Sequence, residues 1–521
     1  MTSTRRPRVM IVNAYVDPWR SAAPMKLFIP RAMAPYYLAG RLEGARVDLK
    51  IHDECFHGAL LTPKTFHWPD LVILTGLTAA FDRARQLAAY FRNANAEVAV
   101  AIGGPIARAL PELCGKVFDH VLQGDVEDLD PFIEGVLGED YLASDPAPRF
   151  DLAGWSFGLG FVETTRNCNF ACAFCSLTGE RRAYQSYSSE EIARQLDAQK
   201  RFQMLMVLDN NFYGNSRADF ERRTELLGER WRRGDFLGWG ALVTGDFFKN
   251  PDNLAKAAAN GCKALFSGVE SLDPEVLRSY NKRHSLASDP KTLASLCADH
   301  GILFDYGMMV DFGQQTIAEV DAQIDAILAS PEAPLPALLS LTIPILGTPH
   351  FADSASAGRL MPHLRLADLD GQKLVEWPKE PLDTVVPYLK NLLQFRGRKL
   401  ALTRHAIRHA WSRRAAFDVS QSLISLIGPL VRYGGGVRIG SPRQMLQSWR
   451  EPRRTFCAMT DGLSAAYRPM MRMEERFMPE FEPLLLTDGE GRLRQGLLKE
   501  ESQAHARRSS RILFDSPGSP A

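Results

Sequence analysis

The first 140 residues alternate short apolar runs with amphipathic stretches, and this alternation predicts a series of strands and helices. Residues 71–76 and 98–102 are continuous apolar runs, as expected of strands buried on both faces of a parallel sheet. Further strands are predicted at 8–13, 47–52 and 117–122, with helices at 34–42, 81–93 and 107–113. The pattern predicts an α/β domain over residues 1–145 with a doubly wound parallel sheet.

A second α/β series follows a predicted linker at 145–148. Strands are predicted at 160–163, 205–208, 238–243, 264–268, 304–309 and 339–343. Helices are predicted between them at 189–201, 219–232, 253–260, 274–280, 290–300 and 317–329. Six β/α units predict a full or partial (β/α) barrel over residues 150–348, with its site at the carboxyl ends of the strands.

The alternation stops near residue 348, and the pattern predicts a mostly helical region over 349–500 that contributes substrate specificity. Core packing is the favoured role for its aromatic residues Trp377, Tyr388, Trp411 and Tyr433. Its basic clusters, at 396–399 and 404–414, could touch a membrane surface or a lipid-like substrate, but a solvated basic face is favoured. The polar tail at 501–521 is predicted to be disordered.

Composition narrows the class of protein. The chain has 521 residues, 45% of them hydrophobic, and a formal net charge of +1, which gives no electrostatic reason to expect nucleic acid as a partner. No stretch approaches the roughly 20 apolar residues that span a bilayer. The first apolar run is short and resembles a strand rather than a signal peptide, so we expect a cytoplasmic protein.

Three of the eight cysteines lie close together, whereas the other five are scattered singly and are expected to be buried small hydrophobes. Cys168, Cys172 and Cys175 stand at i, i+4 and i+7 directly after a predicted strand. Thiolates suit iron–sulfur clusters or zinc. A structural zinc or an ordinary [4Fe–4S] centre takes four ligands, and no further Cys or His lies nearby. Three ligands would leave one iron open to a substrate or cofactor.

The spacing C-x3-C-x2-C, with the aromatic Phe174 before the last cysteine, resembles the signature of the radical S-adenosylmethionine (SAM) superfamily. The order of parts resembles its cobalamin-binding (class B) subgroup, in which a Rossmann-like domain precedes the barrel. The resemblance implies that the three cysteines hold a [4Fe–4S] cluster and that SAM chelates the fourth iron. It further implies that flavodoxin or ferredoxin supplies an electron and that SAM cleavage gives a 5′-deoxyadenosyl radical.

The same resemblance implies contacts to SAM from several strand ends of the barrel. Phe174 and Val310 would lie near the adenine, and Lys282 or Arg283 would pair with the carboxylate. The other implied contacts are Asp209 and Asn210 to the amino group, and Glu270 and Ser271 to the ribose or carboxylate. Each polar position has an alternative, because Asp, Asn and Ser commonly cap helices that follow strands.

A cobalamin site is implied at the carboxyl ends of the first sheet, where glycines let the backbone approach a bulky ligand. The implied contacts are Thr75, Gly76, Thr78, Gly103, Gly104, Gly124 and Asp125. The chain lacks the D-x-H-x-x-G motif that supplies a cobalt ligand in mutase-type domains, since His52, His57 and His67 do not have this spacing. The alternative that this domain is vestigial and binds no cofactor therefore stays open.

The leading hypothesis is a cobalamin-dependent radical SAM methyltransferase that acts on an unactivated carbon of a small-molecule or lipid-like substrate. The first alternative is an enzyme of the same architecture that catalyses a non-methylating cyclisation, rearrangement or oxidation. The second, from another class, is a non-catalytic iron–sulfur regulator. The sequence does not identify the substrate.

Overall fold

A computed structural model describes residues 5–15, 32–153, 158–199, 202–286, 289–371, 373–393, 397–433 and 483–494. The predicted disordered tail at 501–521 lies outside the described residues, as does the part of the predicted helical region at 434–482. Two parallel sheets organise the described part of the chain.

The N-terminal sheet has five parallel strands: β1 Arg8–Ala14, β2 Asp48–Asp53, β3 Leu71–Gly76, β4 Ala99–Gly103 and β5 His120–Leu122. Their order in space is β2-β1-β3-β4-β5. Every residue of β3 is buried, which explains why this strand is a continuous apolar run. The order reverses between β1 and β3, and doubly wound sheets bind ligands at the carboxyl side of such a point.

Helices cover both faces of this sheet: α1 Ala34–Ala39, α2 Glu54–His57, α3 Pro63–Phe66, α4 Phe81–Ala94, α5 Pro105–Ala109, α6 Pro111–Gly115 and α7 Asp130–Val136. The helix predicted at 107–113 is instead two short helices that meet at Leu110. Pro111 lacks an N–H group and therefore cannot continue α5. The strand predicted at 117–122 is shorter and begins at His120.

The second sheet has six parallel strands, and a short antiparallel pair lies beside it. In chain order they are β6 Leu159–Val162, the pair β7 Thr165–Arg166 and β8 Gln185–Ser186, then β9 Met204–Val207, β10 Gly238–Val243, β11 Cys262–Glu270, β12 Leu303–Val310 and β13 Leu338–Leu341. The order β6-β9-β10-β11-β12-β13 leaves β6 and β13 at opposite edges, so the barrel is partial.

Seven helices accompany this sheet: α8 Ser176–Glu180, α9 Ser189–Asp197, α10 Arg217–Arg232, α11 Asp252–Ala259, α12 Pro274–Ser279, α13 Pro290–Ala298 and α14 Ile317–Ala329. Capping explains several of their starts. Ser188 and Glu191 form a capping box at α9, and Thr316 with Glu319 forms another at α14.

Described segments of the predicted C-terminal region pack into the hydrophobic cores of both domains. Its described helices are α15 Pro349–Ser356, α16 Leu382–Leu393, α17 Lys399–Arg413 and α18 Val419–Tyr433. Phe351, Leu360 and Leu486 join the hydrophobic core beneath the N-terminal sheet. Leu402 and Tyr433, by contrast, join the core of the barrel.

The predicted fold class is confirmed: a doubly wound parallel sheet precedes a partial (β/α) barrel, and the later described segments are mostly helical. No helix among the described residues is both long enough and apolar enough to cross a membrane.

Candidate active site

The three clustered cysteines lie on the loop that follows β6, which we call the cysteine loop (residues 163–175). Ala173 donates its N–H to the Tyr280 carbonyl at 2.8 Å and accepts from the N–H of His350 at 3.1 Å. The Asn281 side chain donates to the carbonyl of Ala171 at 3.0 Å. The loop is therefore held by the end of α12 on one side and by α15 on the other.

Burial and one cation set the electrostatics of the thiols. Burial raises the pKa of Cys172 to about 11, and the Lys282 ammonium acts in the opposite direction. Burial likewise raises the pKa of Cys168 and of Cys175, again opposed in part by Lys282. A metal keeps its thiol ligands deprotonated, so a bound cluster would overcome this burial effect. Three soft donors with a cation beside them fit an iron–sulfur cluster.

The geometry of the trio differs from that of a mononuclear site. Among the described residues, no group of three or more His, Cys, Asp or Glu side chains could hold a metal ion. A cubane does not require such convergence, because each thiolate binds a different iron at a different corner.

A buried ion pair lies beside the cysteines. Lys282 Nζ donates to Glu270 Oε1 at 3.0 Å, and the two side chains are 8% and 13% exposed. Burial alone would lower the pKa of Lys282, but Glu270 and the thiols raise it, so the ammonium stays charged. The same ammonium lies 5.6 Å from the centroid of the Phe174 ring. The structure thus brings Phe174, Glu270 and Lys282 of the predicted SAM set together.

The backbone at the end of β11 has an irregular conformation that accommodates the Glu270–Lys282 pair. Glu270 has a φ of 68°, unusual for a residue with a side chain, and the pairing register shifts between Gly268 and Glu270. A Cβ on Gly268 would lie 2.2 Å from Glu270 Oε1 and 3.1 Å from Lys282 Nζ. Only glycine leaves room for the pair here.

The remaining four residues of the predicted SAM set are placed differently. Asp209 is fully buried, and its carboxylate accepts the N–H of Thr164 at 2.7 Å and the Thr164 hydroxyl. The Ser271 hydroxyl donates to Gln323 and accepts from the Asp273 N–H at the start of α12. Neither residue caps a helix, since Asp209 bonds to the cysteine loop and α12 is capped by Asp273; Asp209 and Ser271 are thus engaged within the protein. Their contact with SAM stays a prediction, as it does for two further residues: the exposed Asn210 and the buried Val310.

Sequence reasoning missed a polar network behind Phe174. The Tyr280 hydroxyl donates to Asp311 and also contacts the Thr342 hydroxyl at 3.1 Å. The Tyr280 ring meets Phe174 edge-on, with 5.2 Å between centroids. His350 lies edge-on to Tyr280 and its Nε2 is 2.9 Å from Glu376 Oε2. Only the position of Tyr280, directly before Asn281 and Lys282, gave a signal in the sequence.

His284 is a second residue without a sequence signal. Its ring stacks on Phe170 of the cysteine loop at 4.0 Å between centroids. Burial, together with the charges of Lys282 and Lys249, lowers the pKa of His284 to about 4, so the ring is neutral near pH 7. Its Nε2 is buried and has no hydrogen-bond partner within the described part of the chain.

The carboxyl edge of the N-terminal sheet contains the predicted cobalamin residues. Thr75 and Gly76 end β3, Gly103 ends β4, and Gly104 follows it. Gly104 has a φ of 78°, and a Cβ there would lie 2.6 Å from Thr75 Oγ1. Thr78 begins the short turn that leads into α4. The edge therefore presents backbone and small side chains.

Asp125, also predicted to contact cobalamin, lies in an ion-pair network beside Gly124. Its carboxylate pairs with Arg108 at 2.6 Å and with Arg182. Arg108, on α5, also pairs with Glu180 on α8, the helix that follows Cys175. This network links the ligand edge of the N-terminal sheet to the helix beside the cysteines. The contact of Gly124 and Asp125 with cobalamin stays a prediction.

A second ion pair strengthens this link. Arg166, two residues before Cys168, pairs with Glu127 at 2.6 Å and with Glu163 at 2.7 Å. Glu127 lies in the turn after β5 of the N-terminal sheet. Ion pairs thus connect both the start of the cysteine loop, at Arg166, and the helix after it, at Glu180, to the same edge of the neighbouring domain.

Residues 162–320 match the family model described as the radical SAM superfamily. The matched range begins at the end of β6, contains all three clustered cysteines and continues into α14. Residues 162–320 therefore form a radical SAM domain. The resemblance inferred from the cysteine spacing is therefore confirmed, and the superfamily supports the predicted [4Fe–4S] cluster and SAM.

Curated relatives of the chain include proteins named as a methylase and a methyltransferase. It is 24% identical over 246 residues to the hopanoid C-2 methylase of Rhodopseudomonas palustris, covering 43% of this chain and 46% of the relative. It is 24% identical over 360 residues to the bacteriochlorophyllide d C-12(1)-methyltransferase of Chlorobaculum tepidum, covering 65% and 75% of the two chains. The chain thus spans about half the length of the first of these relatives.

Solved structures that share the fold include OxsB and TsrM. The cobalamin-dependent SAM radical enzyme OxsB, with aqua-cobalamin bound, aligns with a TM-score of 0.57 and 14% identity, over 86% of this chain and 75% of its own. The radical SAM methyltransferase TsrM of Kitasatospora setae, with cobalamin and a [4Fe–4S] cluster bound, aligns with a TM-score of 0.50 and 17% identity, over 69% and 77%. At these identities the likeness concerns the fold.

Proposed function

We propose that this chain is a cobalamin-dependent radical SAM methyltransferase that acts on an unactivated carbon of a small-molecule or lipid-like substrate. One observation carries the proposal: Arg108, on the helix that follows Gly103 and Gly104 at the carboxyl edge of the N-terminal sheet, pairs with Glu180 on the helix that follows Cys175. The two edges where parallel sheets bind ligands therefore lie next to each other. A methyl donor on one edge and a radical source on the other would share one substrate space.

In this proposal Cys168, Cys172 and Cys175 each bind one iron of a [4Fe–4S] cluster. With cluster, SAM and cobalamin bound, the cofactors supply a 5′-deoxyadenosyl radical and a transferable methyl group. The protein holds the thiols on a loop whose backbone is bonded to Tyr280 and His350, so the ligands are positioned by the fold. Lys282 offsets part of the negative charge that the thiolates bring.

The buried pair of Glu270 and Lys282 would hold SAM. A carboxylate near Lys282 gains a charge-assisted hydrogen bond, and Glu270 can accept from ribose hydroxyls or an ammonium group. Phe174 would pack against the adenine. Because Glu270 and Lys282 are largely buried, these bonds form in a region from which most water is excluded.

Cobalamin would lie against the edge formed by Thr75, Gly76, Gly103 and Gly104. The support is threefold: the glycine edge with its close backbone approach, the fold shared with OxsB and TsrM, and relatives described as methylases. We further propose flavodoxin or ferredoxin as the electron donor and a cytoplasmic location.

Labelled SAM tests the proposal without knowledge of the substrate. Anaerobically reconstituted protein would be incubated with hydroxocobalamin, a reductant and SAM carrying a deuterated methyl group. We expect one chain to hold both iron–sulfur and cobalt, to release 5′-deoxyadenosine, and to move the labelled methyl group into the corrinoid fraction. Mass spectrometry measures both products.

The outcomes separate the alternatives. SAM cleavage with cobalamin bound but no labelled corrinoid would favour the non-methylating enzyme. No SAM cleavage by a cluster-loaded protein would favour the non-catalytic regulator. Failure to hold any cluster would contradict the whole proposal.

A further inference from the structure

Exposed apolar residues form a row on the outward side of α17 and α18, and none of them has a role in the proposed chemistry. On α17, Leu400 is 62%, Ile407 51% and Trp411 67% exposed. Their spacing of seven and four residues places them on one face of the helix. On α18, Leu423, Ile424 and Ile427 are similarly exposed. We call these six residues the hairpin face.

The opposite side of the hairpin is fixed to the barrel, so the outward side is determined by packing. His405 Nε2 lies 2.8 Å from the Ala333 carbonyl. Gln421 donates to the carbonyls of Lys263 and Gly301 at 2.7 and 2.8 Å. Leu402, between Leu400 and Arg404, is buried in the barrel core. Rotation of α17 to hide Leu400 or Trp411 would break these bonds.

Exposed cations surround the hairpin face. Lys399, Arg404, Arg408 and Arg414 are exposed, and the guanidinium of Arg414 lies 4.3 Å from the Trp411 ring centroid. The sequence from 397 to 417 contains no Asp or Glu. The net charge of the whole chain is only +1, so this excess of positive charge is local.

We propose that the hairpin face docks on the surface of an anionic lipid bilayer. Apolar side chains including Trp, flanked along α17 by Arg and Lys without an acid, are the composition of helices that lie in the membrane interface. A second copy of the chain fits less well, because it would bring the same cations against one another. The sequence alone favoured a solvated basic face, since it did not show that the apolar row points outward. This inference does not depend on the proposed function.

Vesicle sedimentation tests the proposal with the full-length protein. We expect binding to vesicles of phosphatidylcholine and phosphatidylglycerol in equal parts, little binding to phosphatidylcholine alone, and weaker binding at higher salt. The double variant Arg404→Gln/Arg408→Gln should lower the partition coefficient about 25-fold, since each cation near such a surface contributes about fivefold. The variant Leu400→Ser/Ile407→Ser should also lower it.

A matched control uses two equally exposed leucines on other surfaces. Leu237 is 67% and Leu338 62% exposed, and Leu237→Ser/Leu338→Ser should leave vesicle binding unchanged. All variants change exposed side chains, so their thermal unfolding midpoints should match that of the wild type.

Three results would overturn the proposal. The first is the absence of binding to the anionic vesicles at low salt, and the second is binding that the hairpin variants leave intact. The third is a stable dimer, seen by light scattering, that Leu400→Ser/Ile407→Ser dissociates, because the occupant of the face would then be a second copy.

Discussion

The carboxyl edges of the two parallel sheets are built from opposite kinds of residue. The barrel edge carries three thiols and a buried ion pair, Glu270 with Lys282. The N-terminal edge carries Thr75 and glycines, and its charged residues are already engaged, as Arg108 with Asp125 and Glu180 shows. The barrel edge can therefore hold a small charged cofactor by its side chains. The N-terminal edge offers backbone and space, which suit a bulky ligand.

The largest effect is expected from removing one thiol of the barrel edge. Cys172→Ala should abolish iron and sulfide binding after anaerobic reconstitution, because two thiolates cannot hold the cubane at three corners. Cobalt binding at the other edge should persist. Elemental analysis measures both, and Cys55→Ala, a half-buried cysteine outside the loop, is the control. If Cys172→Ala keeps a full complement of iron, the ligand assignment is wrong.

The next effect concerns the ion pair. Lys282→Met leaves the Glu270 carboxylate buried without its partner, and breaking such a pair typically costs about 3–5 kcal/mol of unfolding free energy. The same variant should lose SAM affinity. Urea denaturation and equilibrium dialysis with labelled SAM measure the two effects.

The neighbouring cation Arg283 gives the matched control for Lys282. It is exposed, so Arg283→Met should change neither stability nor SAM binding. Because the partners are coupled, Glu270→Gln combined with Lys282→Met should cost less than the sum of the single changes. Loss of SAM binding in Arg283→Met with retention in Lys282→Met would contradict the assignment.

Local patterns predicted most of the fold and the centre of the site. The buried strands and the cysteine spacing are local in sequence, and both were identified from a few consecutive residues. Asp209 shows why the remaining site residues could not be assigned: an acid after a strand has the same appearance in the sequence whether it binds a ligand or accepts a hydrogen bond from Thr164. The contact of Arg108 with Glu180 joins residues 72 positions apart, and no sequence pattern indicates it.

The aromatic residues of the C-terminal region make the same point. Core packing was predicted for Trp411 and Tyr433, and the prediction is wrong for Trp411, which is 67% exposed, whereas Tyr433 is buried. Which face of α17 lies against the barrel depends on the groups at the barrel surface. His405 contacts a carbonyl of the barrel and Leu402 packs into its core, so Trp411 lies on the outward face.

A pH-dependent effect should test whether the Asp209 carboxylate is buried against Thr164. Burial raises the pKa of Asp209 from its ordinary value of 3.8 to about 6. Between these values the native state holds a proton that the unfolded state has lost, so stability falls as pH rises from about 4 to 6 and is level above. The shift corresponds to about 3 kcal/mol.

Asp209→Asn has no titrating group and should lack that fall. We expect the difference in unfolding free energy between wild type and variant to change by up to about 3 kcal/mol across this pH window. Asp145→Asn, whose side chain is 78% exposed, is the control and should reproduce the wild-type curve. A pH-independent difference for Asp209→Asn would contradict the burial of an ionisable carboxylate.

The smallest effect tests the N-terminal edge. Gly104→Ala places a Cβ 2.6 Å from Thr75 Oγ1 in a backbone conformation that L-residues rarely adopt, at a cost of about 1–3 kcal/mol. Cobalt per chain should fall while iron stays unchanged. Gly135→Ala, where a Cβ meets nothing within 4 Å, is the control. Thr75→Ala should restore part of the lost stability in the double variant, since the clashing oxygen is gone. A Gly104→Ala protein with undiminished cobalt would mean that cobalamin, if bound, rests on other residues.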